Sequence, residues 1–317
     1  MKGRRGEYTM AENKFGLHFH GSNPKDFDQA LEVGAGWYLV LGSDAWYYVD
    51  RIRAKQPDAK IILRLNASPT RDVPASIAAG ARYYYEKYHP KAIQIGNEGN
   101  LGAEHGQAED GYWSSEAGYY VQLNWWIEFL SAWNNHADVL VGPNLSPDYN
   151  LELGLRILNP VIRQFRYVGI HDYGQNTLSR VAVLFPDKEI IVTEFNRQWA
   201  EGDDADKRRV AVAITDFYET WYPVFTAAIY YQWDGNQDGA ISGHSFNMVD
   251  NYELWTAVKT MTKTYTPTGT LANPHSSYDK DALWSWYVEK IYEAPMFTKK
   301  WIENFLVLGW PVLGLQD

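Results

Sequence analysis

Eight short apolar runs alternate with helix-patterned segments from residue 15 to about residue 263, and this alternation most limits the fold. The runs are Phe15 to His20, Trp37 to Leu41, Ile61 to Leu65, Ala92 to Ile95, Val139 to Asn144, Tyr167 to His171, Glu189 to Glu194 and Ala227 to Trp233. Several of the segments between them carry apolar residues at helical spacing, as in Val210, Ile214, Phe217 and Trp221. Near-continuous apolar strands are covered on both faces, which is the habit of a parallel sheet wrapped by helices. Eight strands and their helices predict an α/β chain closed into a (β/α)8 TIM barrel over residues 1–263. An open doubly wound sheet is the alternative. Against it, no G-x-G-x-x-G follows the first run.

Past residue 263 the pattern changes. Thr264 to Pro274, with Pro267 and Gly269, reads as a linker. Two amphipathic stripes follow, Leu283, Trp284, Tyr287, Val288 and Ile291, then Phe297, Trp301, Ile302 and Phe305, with Pro295 between them. Residues 264–317 are therefore expected to form a linker and a helical C-terminal extension without a catalytic role. Its apolar faces need cover, either on the barrel's own helices or on a second copy in a homodimer.

The formal net charge of −10, with no Lys/Arg stripe, argues against a nucleic-acid partner. The absence of cysteine excludes disulfides, thiolate catalysis and Cys-ligated zinc. The first ten residues lack an apolar core, and no stretch reaches the roughly 20 apolar residues of a membrane span. A soluble protein without a signal peptide is expected, cytoplasmic or in a mature secreted form, with no membrane partner. The 14 Trp and 23 Tyr exceed what a core requires, and exposed rings are good platforms for the apolar faces of sugars.

Barrel active sites lie at the C-terminal ends of the strands. Those ends carry His18, His20, Arg64, Asn97, Glu98, Asn144, His171, Tyr173, Glu194 and Trp233. Buried polar groups need partners, so folding alone does not favour such a concentration there. Two strands, the fourth and the seventh, each deliver a glutamate, Glu98 and Glu194. A pair of carboxyl groups flanking a scissile bond is what glycosidic cleavage requires. The separation is roughly 5–5.5 Å when configuration is retained and roughly 6.5–9.5 Å when it is inverted. Long side chains reaching across a barrel can meet the shorter figure.

Asn97-Glu98 ending the fourth strand, Thr193-Glu194 ending the seventh, His171-Asp172-Tyr173 at the sixth and Trp233 near the eighth together resemble the retaining glycoside hydrolases of clan A, such as families 5 and 39. The resemblance spans residues 14–263. It implies that Glu98 is the general acid/base, protonated when substrate arrives, and that Glu194 is the ionised nucleophile. It further implies that Tyr173 donates a hydrogen bond to Glu194, that Asn97 holds the sugar 2-hydroxyl, and that Trp233 floors the site. Clan members often keep an arginine near the nucleophile. Arg64 would keep Glu194 ionised, or else brace the rim as an ion pair. His18 and His20 share one strand face, so at least one is expected to line the pocket. No cofactor and no metal is implied.

Two other readings compete. His18, His20, His171 and Asp234 look like parts of a metal-dependent amidohydrolase. That pattern expects ligands from strands four and five, where Asn144 stands, and leaves Glu194 and Tyr173 unexplained. A carbohydrate-binding barrel without catalysis is the second, although both carboxylates are present. Short segments after strands one to three, and longer ones after four and eight, favour an open groove. That shape points to an enzyme cutting inside an oligo- or polysaccharide.

Overall fold

The computed structural model describes residues 12–19, 26–101, 112–134, 137–147, 150–175, 177–196, 207–231, 233, 248 and 252–264. The strands are β1 (Phe15–Phe19), β2 (Trp37–Leu41), β3 (Lys60–Leu65), β4 (Ala92–Ile95), β5 (Leu140–Val141), β6 (Tyr167–Asp172), β7 (Glu189–Phe195) and β8 (Phe225–Tyr230). Each pairs in parallel with the next, and β8 returns to β1, closing the barrel. The helices are α1 (Phe27–Glu32), α2 (Ala45–Lys55), α3 (Pro74–Tyr88), α4 (Glu116–Trp133), α5 (Leu151–Ile157), α6 (Asn159–Ile162), α7 (Thr177–Leu184), α8 (Lys207–Trp221) and α9 (Tyr252–Thr264). The chain is a (β/α)8 TIM barrel. Of the C-terminal extension expected over residues 264–317, Thr264 ends α9, and the rest, with the homodimer contact, lies outside the described residues. Among the described residues no helix is long and apolar enough to cross a membrane.

Alternate strand residues face opposite ways, and the two faces build two separate cores. Outward residues such as Tyr38, Val40, Ile61, Leu63, Ile93, Val168 and Val192 pack under the helices. Inward residues Trp37, Leu39, Ile62, Ala92, Val141, Tyr167, Ile191, Ala227 and Ile229 fill the barrel. On α4 the buried residues Tyr119, Gln122, Trp126, Phe129 and Trp133 follow a three-four spacing that keeps one face on the barrel. Ser115 caps this helix, its hydroxyl accepting from the Gly118 amide at 3.3 Å.

The barrel interior changes character along its axis. The lower positions are apolar. One step further along the strands the inward positions are His18, Arg64, Gln94 and His171, all buried. This polar tier sits at the C-terminal ends, where the sequence concentrates its ionisable groups.

Strand five is shorter than its apolar run, ending at Val141 instead of Asn144. Pro143 has no amide to give to a ladder, so pairing cannot continue through it. Strand eight starts at Phe225, two residues before its apolar run begins, and ends at Tyr230, three residues before Trp233.

Candidate active site

Glu98 sits on a turn fixed from several sides. Gly96, at φ +70, takes the left-handed conformation that starts the turn, and its amide donates to Leu65 C=O at 2.8 Å. The Gln94 side-chain amide donates to Gly96 C=O at 3.2 Å. Leu101 N–H closes on Glu98 C=O at 2.8 Å, and Gly99 N–H reaches Asn144 C=O at 3.3 Å. Asn100 and Ser146 then exchange reciprocal bonds of 3.0 and 2.7 Å, tying this turn to the segment after β5.

Glu194 arrives by a different device. In regular alternation, inward Ile191 would make Thr193 inward and Glu194 outward. The register slips instead. Ile170 pairs with Val192 and His171 with Glu194, while on the other side Val192 pairs with Ala228 and Phe195 with Tyr230. Between Val192 and Phe195, β7 therefore carries one residue more than either neighbour, a β-bulge. Val192 and Phe195 both stay in the outer core, and Thr193 and Glu194 between them are both buried polar residues. Thr193 donates to Ile170 C=O at 3.0 Å, which holds the bulge.

The two glutamates meet at His171. Its Nδ1 is 3.0 Å from Glu98 Oε1 and 3.7 Å from Glu194 Oε2. Those two oxygens are thus closer together than the two distances combined. That limit admits the roughly 5–5.5 Å spacing of a retaining pair and leaves out most of the roughly 6.5–9.5 Å inverting range. Arg64 Nη1 donates to Glu194 Oε1 and the Tyr173 hydroxyl donates to Oε2.

Electrostatics separates the groups. Burial works against the charge on Glu194, but His171, Arg64, His18 and the Tyr173 hydrogen bond outweigh it and hold the carboxyl down at about 2. Burial likewise works against a charged His171. The two glutamates overcome it and raise the imidazole above its ordinary value of 6.5. Burial first, and then the Glu194 charge, push the Tyr173 phenol well above its usual range, so it stays a donor. The arrangement is a carboxylate kept ionised in a buried place, opposite a more exposed carboxyl on a separate turn. The side chain of Glu98 is 18% exposed against 6% for Glu194.

Tyr173 is aimed by its neighbour. Asp172, buried at the end of β6, accepts from Gly174 N–H at 3.1 Å and from Leu178 N–H at 3.0 Å. The first bond makes an Asx turn and the second ties that turn to the start of α7. Tyr173 is carried on this turn.

The other expected site residues are placed as follows. Asn97 is half-buried at the same turn as Glu98. His18 is buried in the polar tier, its ring 5.3 Å from that of Tyr231, and acts on Glu194 through charge. His20 and Asp234 lie outside the described residues, so His18 and His171 are the described members of the metal-ligand set. Asn144 is an interior strut. Its amide donates to Ile95 C=O at 3.4 Å and its oxygen accepts from Thr193 at 3.3 Å. A Cβ on Gly169 would come within 1.8 Å of that oxygen, so the glycine is what admits the side chain. Trp233 is fully buried and packed in the outer core, with its N–H on His18 C=O at 3.1 Å, and presents no open ring face to a sugar.

Three positions escape the sequence reading. Gln94 is a polar residue inside an apolar strand, four before Glu98, and that oddity was the available signal. Tyr231 is half-buried beside His18 at the end of β8. The extra residue in β7 leaves no mark in a single sequence. A crevice behind the Glu98 turn, lined by Ala67, Asn97, Gln122, Trp125, Trp126 and Leu145, includes neither carboxylate.

No family model and no curated protein matches this chain. Solved structures do. A glucosidase from Croceicoccus marinus aligns with a TM-score of 0.58 at 12% identity, over 80% of this chain and 68% of that one. An endo-β1,6-glucanase aligns at 0.55 and 12%, over 81% and 76%. A GH39 β-xylosidase from Caulobacter crescentus aligns at 0.54 and 14%, over 81% and 73%. At these identities the likeness is one of fold, a (β/α)8 barrel.

Proposed function

We propose that this chain is a glycoside hydrolase that cleaves β-glycosidic bonds with retention, using Glu194 as nucleophile and Glu98 as acid/base. The observation that carries the reading is His171 Nδ1 reaching both carboxylates, one of them locked to Arg64 and Tyr173. In the first step a Glu194 oxygen attacks the anomeric carbon. The glycosidic C–O bond breaks as Glu98 gives its proton to the leaving oxygen, and a glycosyl ester on Glu194 remains. In the second step Glu98 takes a proton from water. The water oxygen attacks the anomeric carbon and Glu194 leaves as carboxylate.

The surrounding groups have matching tasks. Arg64 and Tyr173 keep Glu194 ionised and turned for attack. Asn97 is assigned the sugar 2-hydroxyl. Fold neighbours that include a glucosidase, an endo-β1,6-glucanase and a β-xylosidase fit a saccharide substrate. The long segments after strands four and eight favour action inside an oligo- or polysaccharide chain.

The test is to digest a panel of β-linked polysaccharides and aryl β-glycosides and follow the first product by proton NMR. Product appearing in the β configuration supports the reading, and α product first would overturn it. A wild type inert across the whole panel would favour a carbohydrate-binding barrel.

A further inference from the structure

Ala227 and Ile229 fill the barrel and Tyr230 packs in the outer core, so the next residue, Tyr231, turns inward again. Leu17 pairs with Tyr230, which puts Tyr231 one step on, level with His18 in the polar tier. The two rings meet there, 5.3 Å apart and tilted by 39°. The backbone of Tyr231 is fixed against β7. Its N–H donates to Phe195 C=O at 3.0 Å, and its C=O accepts from the Asn196 side-chain amide at 2.8 Å. Those are the two residues that follow Glu194. After burial and the two glutamates, Tyr231 is among the groups that push the Tyr173 phenol up, so it stands near the ring that grips Glu194.

Exposure sets Tyr231 apart from the rest of the tier. His18, Arg64, Gln94 and His171 are at most 5% exposed, whereas Tyr231 is half-buried. An inward residue at the C-terminal end of a barrel strand meets solvent through the barrel mouth, so the open part of this ring faces the cleft. Trp233, two residues on, is fully buried in the outer core.

We propose that Tyr231, and not Trp233, is the aromatic surface that carries the sugar ring beside Glu194. A phenol offers a flat apolar face on which the C–H face of a pyranose packs, while the sugar hydroxyls at its edge reach the polar groups around it. His18 backs the ring from the buried side and holds its tilt. The inference deepens the proposed function and rests on it for the place of the sugar, but binding can be read without turnover.

The test is saturation-transfer NMR with methyl β-D-glucoside and methyl β-D-xyloside, irradiating the aromatic resonances of the protein. Wild type is expected to bind at least one of them and to pass more saturation to the axial protons of one sugar face than to those of the other. Tyr231→Phe keeps the ring and is expected to stay within about threefold of wild-type affinity. Tyr231→Ala is expected to lose about tenfold, and the facial bias with it. If Tyr231→Ala does not fold, Tyr231→Leu, apolar but without a flat face, carries the same measurement with the same expectation. A folded Ala or Leu variant with wild-type affinity and bias would overturn the proposal, as would a Tyr231→Phe no better than Tyr231→Ala. Trp233→Phe is expected to lower thermal stability and leave the facial bias in place; its loss there would also count against Tyr231. An active enzyme whose Tyr231 variants bind normally defeats this inference and spares the glycosidase reading. A wild type that binds a glycoside through Tyr231 yet cleaves nothing does the reverse, and one that binds neither sugar overturns the inference.

Discussion

Arg64 and Tyr173 hold opposite oxygens of the same carboxylate, Glu194, one from β3 and one from the segment just after β6. A buried carboxylate gripped from two sides has one orientation and little freedom to take up a proton. The grip is unequal, since a guanidinium brings charge and a phenol only a dipole. Arg64→Met is expected to raise the Glu194 titration midpoint and to destabilise the fold by roughly 3–5 kcal/mol, the usual result of leaving a buried charge without its partner. Tyr173→Phe removes one hydrogen bond to a charged group and should cost roughly 1.5–3 kcal/mol. Urea denaturation at pH 6 measures both, and equal effects would contradict the ranking.

Glu98 and Glu194 should fail in different ways. On the proposed mechanism Glu194→Ala removes the group that forms the ester, and kcat should fall on the order of 10^4 or more. Glu98→Ala loses acid/base assistance, on the order of 10^2 to 10^4, and least on substrates with good leaving groups. Azide should restore turnover to Glu98→Ala by attacking the glycosyl ester, and the product should be a β-glycosyl azide. Assays with aryl β-glycosides with and without azide check both, and rescue of neither variant would undo the role assignment.

Stability should peak in a narrow acidic window. Glu194 is lower in the folded state than its ordinary 4.5, so its contribution is present above that value and is lost as pH falls towards about 2. His171 is higher in the folded state than its ordinary 6.5, so its contribution is complete below that value and is lost as pH rises through the folded one. Between the two ordinary values both contributions are intact. Thermal melts in a series of buffers should give the highest Tm near pH 5 to 6, and Glu194→Gln should flatten the acid side.

Gly169 should be intolerant of even one methyl group. Its Cβ would collide with Asn144 Oδ1, which is also bonded to Thr193 in the β7 bulge. Gly169→Ala is expected to lose roughly 1–3 kcal/mol through overpacking and to disturb the bulge beneath Glu194. Gly169→Ala combined with Asn144→Ala should lose less than the sum of the two, because the second change removes what the first collides with. A double-mutant cycle by urea denaturation measures the coupling, and strict additivity would refute the contact.

Much of the fold was legible because each strand is an apolar run with a polar stop. Glu98, Glu194, His171 and Tyr173 were legible as a set because they lie at or just past the strand ends on one face of the barrel. Asn144 and Trp233 looked like ligands for the same reason, yet one is a buried strut and the other is packed away from solvent. Strand-end position says which end of the barrel a residue occupies. It does not say which neighbours take its polar atoms. Gln94 was overlooked because a single polar residue in a buried strand looks like noise until its register partner is known to be Arg64.

The extra residue in β7 does not choose the face on which Glu194 stands. Between outward Val192 and outward Phe195 plain alternation has room for one inward residue, and the bulge seats two. The gain is that Thr193, the neighbour of Glu194 in the chain, ties the strand to Ile170 C=O and Asn144 while Glu194 is left to meet Arg64 and Tyr173. One strand thus supplies both the charged group and the anchor beside it, and neither has to be borrowed from another part of the chain.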